Sequence, residues 1–390
     1  MKRKTFKLAG LLMLFTGLNS VQAQDVDPIN VVTTAVPFLR IPPDARAGGM
    51  GDIGIATSPD ANSAFYNLSK TPFAKNPYGV GLTYTPWLKD LGLNDVYLMA
   101  LAGYYKLGED AALSASIRYF SLGNITFTDY NAIDNGTFRP REFGADLGYS
   151  RKLSDKMGIG IALRYISSNL TGGGYSNGLT TYKPGTAVAG DISLFYTGAD
   201  ESGQGWNFGA ALSNLGTKIG YTNDATQRDY IPANIGLGTT YTKVFDESNK
   251  MTFGLDIHKL LVPTPPGFTN DPIVDSTNIA NYRNKTVVSS WFSSFGDAPG
   301  GFSEELKEFQ ISLGTEYSYN DQFFVRLGYF YEDKTKGNRK YFTAGLGLKY
   351  NVFGLNFSYL VPSGQGVNRN PLSNTLRFGL ILDLVNTEEQ

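Results

Sequence analysis

The chain has 390 residues, 34 basic against 35 acidic side chains, one His and no Cys. That balance carries no basic excess for nucleic acid, and the missing Cys and lone His exclude disulfides, thiolate chemistry and multi-histidine metal sites. The chain holds 45 Gly, 24 Tyr and 25 Phe with 18% charged residues and a mean hydropathy of −0.19, which favours two-faced β structure over a helical membrane protein.

The first residues, Met1 to Lys4, read M-K-R-K, and an apolar run follows from Leu8 to Leu18. Val21 and Ala23 occupy the −3 and −1 places of a signal-peptidase site, so residues 1–23 are expected to be removed and the mature chain to start at Gln24. The apolar run is too short to cross a hydrocarbon core of about 30 Å, and no Cys is present for lipid anchoring. The chain is therefore expected to leave the cytoplasm, as a soluble exported β protein or as an outer-membrane barrel.

Residues 24–77 precede the first strand pattern and are rich in Gly. They include Arg46, Gly48, Gly49, Gly51 and Asp52, then Asp60-Ala61-Asn62-Ser63-Ala64-Phe65-Tyr66-Asn67. Compact turns and close backbone approach suit such a segment. It is expected to fold as a plug inside a barrel, with a disordered periplasmic tail as the alternative.

From Tyr78 to the end, residues 78–390, the pattern has period two. In Ala112–Phe120, for example, Leu113, Ala115, Ile117 and Tyr119 oppose Ser114, Ser116 and Arg118. About fourteen such runs are found, each near the ~9–11 residues of a tilted spanning strand. The links alternate between short ones, such as Gly108–Asp110 and Tyr319–Asp321, and long ones, such as Leu122–Arg141 and Leu261–Lys307. Outer-membrane barrels pair short periplasmic turns with long external loops, and an even strand count puts both chain ends on the periplasmic side. The expected fold is all-β, a transmembrane antiparallel barrel of about fourteen strands with an N-terminal plug, located in the outer membrane and surrounded by its lipid.

The two faces differ in chemistry. The apolar face often ends in Tyr, as at Tyr84, Tyr119, Tyr149, Tyr165, Tyr196, Tyr329 and Tyr359, which suits an interfacial girdle. The other face carries Arg118, Glu142, Asp146, Arg164, Asp191, Asp256, Glu316, Arg326 and Arg377. An Arg facing lipid at the midplane costs about 2–4 kcal/mol, so these residues are expected to line the lumen. Opposite signs there can neutralise one another, and plain pore-lining salt bridges account for them.

Motifs for chemistry are weak. Gly48-Gly49-Met50-Gly51 lacks the G-K-[ST] of a phosphate loop. Asp256 and His258 share the lumen face, which admits a barrel hydrolase, yet a lone strand His is more often structural. No acidic run has calcium-loop spacing. No metal, no cofactor and no catalytic residue are expected. The longest link, 261–307, carries Trp291, Phe292, Phe295 and Phe302. Such a cluster marks either a partner site or a self-packed lid.

The lead-in Ile41-Pro42-Pro43-Asp44-Ala45-Arg46-Ala47-Gly48-Gly49-Met50-Gly51-Asp52, followed by Asp60-Ala61-Asn62-Ser63-Ala64-Phe65-Tyr66-Asn67, resembles the start of the PorV family. This family is the outer-membrane component of the type IX protein secretion system of Bacteroidetes, related to FadL-type barrels. The resemblance runs through most of the mature chain, and the lead-in is its specific part. It implies a plugged fourteen-stranded barrel that associates with a large secretion translocon barrel and receives secreted cargo by its C-terminal signal domain. The barrel would then deliver the cargo to an attachment complex, whose sortase-like peptidase does the chemistry. Many FadL relatives read N-P-A-G where this chain has Asn67-Leu68-Ser69-Lys70, which counts against the alternative of a FadL-like transporter of hydrophobic small molecules. The end, Thr387-Glu388-Glu389-Gln390, also departs from the aromatic finish of many barrels.

Overall fold

The computed structural model describes residues 29–89, 92–128, 131, 133–172, 181–224, 226–362 and 374–384. The expected signal peptide, residues 24–28 of the expected plug, and the ending Thr387-Glu388-Glu389-Gln390 lie outside these residues.

The strands run in order as β1 (Tyr78–Pro86), β2 (Val96–Leu107), β3 (Ala111–Leu122), β4 (Ile125–Thr128), β5 (Asp134–Phe138) and β6 (Arg141–Ser154). Next come β7 (Met157–Asn169), β8 (Gly185–Thr197), β9 (Gly205–Gly216), β10 (Ile219–Gly220), β11 (Arg228–Asp229) and β12 (Asn234–Val244). The last are β13 (Asn249–Leu260), β14 (Gln310–Tyr319), β15 (Phe323–Tyr331), β16 (Lys340–Tyr350), β17 (Phe353–Pro362) and β18 (Leu376–Leu384). β4 with β5, and β10 with β11, form small hairpins within two long links. The other fourteen strands close into one antiparallel barrel. β1 seals it against β18, from Tyr78 opposite Leu384 to Tyr84 opposite Phe378.

Alternation sorts the side chains by chemistry, inverting the order of a soluble protein. Leu163 is 71% exposed on the outer surface, whereas its neighbour Arg164 is 3% exposed inside. Leu147 and Ile161 likewise face outward, while Ser114, Ser116 and Arg118 are buried. Water in the lumen or other polar groups can satisfy the inner face, and lipid tails cover the outer one. Aromatic rings then line up near the strand ends. Tyr84, Tyr97 and Tyr119 lie in a row across β1, β2 and β3, with ring centroids 5.8 and 6.2 Å apart.

The short links are tight for a local reason. Asn320 and Asp321 both take positive φ, 52° and 51°, the backbone a two-residue antiparallel turn demands. The long links gather at the other end, which in outer-membrane barrels faces outward. Within 261–307 the chain forms three helices, α2 (Pro272–Asn284), α3 (Val287–Ser293) and α4 (Phe302–Lys307); before the strands, the described residues hold one α-helical turn, α1 (Ala45–Gly48), and 3-10 turns at Pro37–Arg40, Ser63–Phe65 and Leu68–Phe73. Asp271 caps α2 by accepting the Ile273 and Val274 N–H groups, with Pro272 at its first position, an arrangement readable in sequence as a helix start.

One expectation needs correcting. β1 and β18 begin and end at the short-turn side, but the described chain does not start there. Asn30 N–H bonds to Thr335 O at 3.1 Å in the long β15–β16 link. Residues 30–77 therefore run from the outer mouth down to the opposite rim before entering β1. There Lys106 Nζ donates to Ala74 O at 3.0 Å, and Lys152 sits 5.4 Å from the Phe73 ring centroid.

Candidate functional site in the lumen and outer mouth

Residues 29–77 meet inward-facing side chains from all round the barrel. The turn α1 is held by Asp44, whose carboxylate accepts from Arg46 N–H and Ala47 N–H at 3.0 Å each. The Arg46 guanidinium reaches Glu316 on β14 at 2.9 Å and Asp60 at 2.9 Å. Glu316 also pairs with Arg326 on β15 at 2.6 Å. Gly48 packs against Arg377, and Gly49 against Gly345. Gly51 has φ +68°, and a side chain there would meet Leu313 O at 2.6 Å, so only Gly fits. The next residue, Asp52, also has positive φ at 69°. Its two oxygens take Arg377 Nη1 and the Tyr341 hydroxyl at 2.6 Å each.

The remaining inner residues fall into separate groups. Arg164 joins Asp146, Asp191 at 2.9 Å, and Asn214. Asp256 accepts the backbone N–H groups of Gly54 at 2.7 Å and Ile55 at 3.0 Å. His258 turns elsewhere, its Nδ1 lying 3.2 Å from the Asn234 amide. Arg118 donates to Leu39 O at 3.0 Å and lies 4.8 Å from the Phe65 ring centroid. Glu142 accepts from Ser168 Oγ at 2.6 Å. Neutralisation is thus partial: among the described residues, Arg118, Glu142 and Asp256 form no ion pair. Among those residues no group of three or more His, Asp or Glu is arranged to hold a metal ion.

Asn67-Leu68-Ser69-Lys70 is also explained by packing. Asn67 Nδ2 donates to Ile55 O at 3.0 Å and Leu194 O at 2.9 Å. Lys70, 1% exposed, donates to Gly54 O at 2.6 Å and Thr57 Oγ1 at 3.0 Å. The segment ties the 54–57 turn to the barrel wall.

The outer mouth carries a second ionic cluster that alternation alone does not reveal. Lys259 Nζ bonds Glu305 at 3.1 Å and also Glu308. Lys336 bonds Glu304 at 2.6 Å and Glu308 at 2.9 Å. The Glu305 carboxylate also accepts from Ala298 N–H at 2.8 Å. On the other side Lys218 Nζ donates to Arg283 O at 2.6 Å and Lys285 O at 2.8 Å, where a cation suits the carboxyl end of α2. These contacts fasten α2–α4 to the rim. The four aromatic residues of this link separate in role. Phe292 and Phe302 are each 76% exposed, and Phe295 is also exposed. Trp291 is half-buried and lines a small cavity with Val262, Ile231 and Tyr230.

Just outside β15, Glu332 takes Arg339 at 2.8 Å and Arg40 at 3.4 Å. Burial alone would raise this carboxyl, yet the hydrogen bond and charge of Arg339, then the charge of Arg40, hold it below the ordinary carboxylate range.

Residues 22–267 match the family model of the type IX secretion system protein PorV. The chain belongs to the PorV family. The match spans the whole Gly-rich lead-in and the strands through β13. A PorV-family chain closed as a fourteen-strand barrel is an outer-membrane protein of type IX secretion, and its family are secretion components. Among solved structures it is similar to the toluene transporter TbuX of Ralstonia pickettii, at 12% identity and TM-score 0.50, covering 87% of this chain and 96% of that one. It is also similar to the toluene transporter TodX of Pseudomonas putida, at 12% identity and TM-score 0.50, covering 91% and 98%. At such identity the likeness is one of fold. No curated protein matches the chain.

Proposed function

We propose that this PorV-family barrel takes secreted proteins by their C-terminal signal domains at the large translocon barrel and carries them to the attachment complex. The peptidase of that complex, and not this chain, then cleaves the signal domain. Residues 29–77 act as the plug, their charged and glycine contacts keeping the lumen filled during the traffic outside. The observation that carries the reading is the helical lid at 272–307. It is pinned by buried ion pairs on one side and presents exposed Phe292, Phe295 and Phe302 on the other. Exposed aromatics on a rigid support are what a partner's apolar surface binds. The polar inner wall, with Arg118 and Glu142 among its buried groups, speaks against passage of hydrophobic solutes.

Affinity purification of the chain from native outer membranes tests this reading. The expected result is co-isolation with a giant barrel and with secreted proteins still bearing their signal domains. A chain that isolates alone, while a null strain secretes normally and loses uptake of a hydrophobic solute, would overturn it.

A further inference from the structure

Glu142, the second residue of β6, is 3% exposed. Its carboxylate accepts from Ser168 Oγ at 2.6 Å, and that hydroxyl accepts from the Tyr221 hydroxyl at 3.0 Å. Among the described residues no Lys or Arg pairs with it. A buried carboxylate without a cation is costly in its ionised form, by several kcal/mol, and is relieved either by a proton or by a cation that approaches. Covered as it is, Glu142 still forms part of a cavity wall. It lines a groove of about 490 Å³ at the outer mouth, whose walls include Thr33–Pro37, Phe120, Leu170, Tyr221 and Tyr282. The rim carries Arg228, Asp229 and Arg283, all exposed to solvent and so screened. The deep group is a carboxyl that a bound cation would hold ionised, and the walls are aromatic, a combination that favours an alkylammonium or guanidinium group, whose stem lies on rings and whose head meets the carboxylate.

We propose that this groove receives a basic side chain, Lys or Arg, presented by the signal domain of the secreted partner, with Glu142 as its counter-ion. The inference rests on the reading that signal domains dock at the outer mouth. It adds the chemistry by which they are held in register. The aromatic lid supplies apolar contact, while the groove demands one charge at one place, and a charge left unpaired on either partner rejects the wrong domain.

The test has two arms. In the first, the purified full-length chain in detergent is titrated with Nα-acetyl-lysine methylamide and with its uncharged norleucine counterpart. Trp87 packs edge-on against Phe120 at 5.7 Å, so tryptophan emission reports the groove. The lysine amide is expected to give a saturable change, at least tenfold weaker in Glu142→Gln, and norleucine none. Leu170→Trp, which fills the groove and leaves the carboxylate in place, is expected to abolish the response. It serves as the readout if Glu142→Gln does not give a heat-modifiable barrel. Equal response to both amides, or a response unchanged by either variant, overturns the proposal. In the second arm, an isolated signal domain is bound to each chain. A tenfold or larger loss in Glu142→Gln supports the proposal, and equal binding to wild type and variant overturns it. A wild-type chain that binds no signal domain sinks the docking reading instead, and the amide titration still judges the groove.

Discussion

Asp52 and Arg377 stand 325 positions apart in the chain and 2.6 Å apart in space. Both side chains are 3% exposed, and Asp52 holds a left-handed backbone while its carboxylate bonds Arg377 and Tyr341. The contact fastens the glycine-rich turn to the closing strand of the barrel.

Asp52→Ala leaves the Arg377 guanidinium buried without its carboxylate. Breaking one side of such a pair costs about 3–5 kcal/mol. The midpoint of thermal unfolding in detergent is expected to fall accordingly, and an unchanged midpoint would show that the pair adds nothing.

Gly328→Ala tests the seating of residues 29–77 by sterics alone. A methyl at Gly328 would collide with the backbone of Met50 and Gly51, atoms that have no rotamer by which to yield. Limited proteolysis should cut within residues 29–77 in the variant and not in the wild type, while the barrel itself stays resistant.

The lid aromatics divide into two classes. Phe292→Ser with Phe302→Ser removes exposed rings and should weaken retention of secreted cargo at least tenfold with no change in barrel stability. Trp291→Ala should instead loosen α3 from the rim, on the order of 1–3 kcal/mol, seen as faster hydrogen exchange over 287–293. Equal effects of both variants on retention and exchange would refute the division.

Glu332 gives a pH dependence with a definite sign. Its folded carboxyl titrates below the ordinary range because Arg339 and Arg40 outweigh burial. The stability it contributes is therefore fully present above the ordinary carboxylate pKa and is lost as pH falls through the lower folded value. Hydrogen exchange over the 332–340 link should be slow and flat from neutral pH to about pH 5, after correction for the intrinsic rate, then accelerate with further acid. Glu332→Gln should remove that acid-side step.

The barrel was legible because lipid and lumen impose a strict period of two. Leu113 and Ile117 face outward, and Ser114, Ser116 and Arg118 inward, as the alternation in the chain requires. The same alternation groups the charged residues on the face opposite the apolar one, but says nothing of their partners. Nothing local pairs Arg46 with Glu316, 270 positions away, or leaves Glu142 without a cation. Lys259 shows where the rule stops. Alternation from Asp256 would turn it outward, yet it is buried against Glu305 of α4 and Glu308 just beyond that helix. No helix is expected from the sequence in the 261–307 link, although Asp271-Pro272 carries a helix-start signal, and no local signal marks the docking of α2 on the rim.

The amino-acid sequence by itself determined the strand count, the closed architecture and the family, since these depend on periodicity and on a contiguous Gly-rich motif. Only the tertiary structure decided that the described chain starts at the outer mouth, which inner charges meet, and which lid aromatics stay exposed. Those depend on contacts between residues hundreds of positions apart, and short-range pattern carries no information about distance in space.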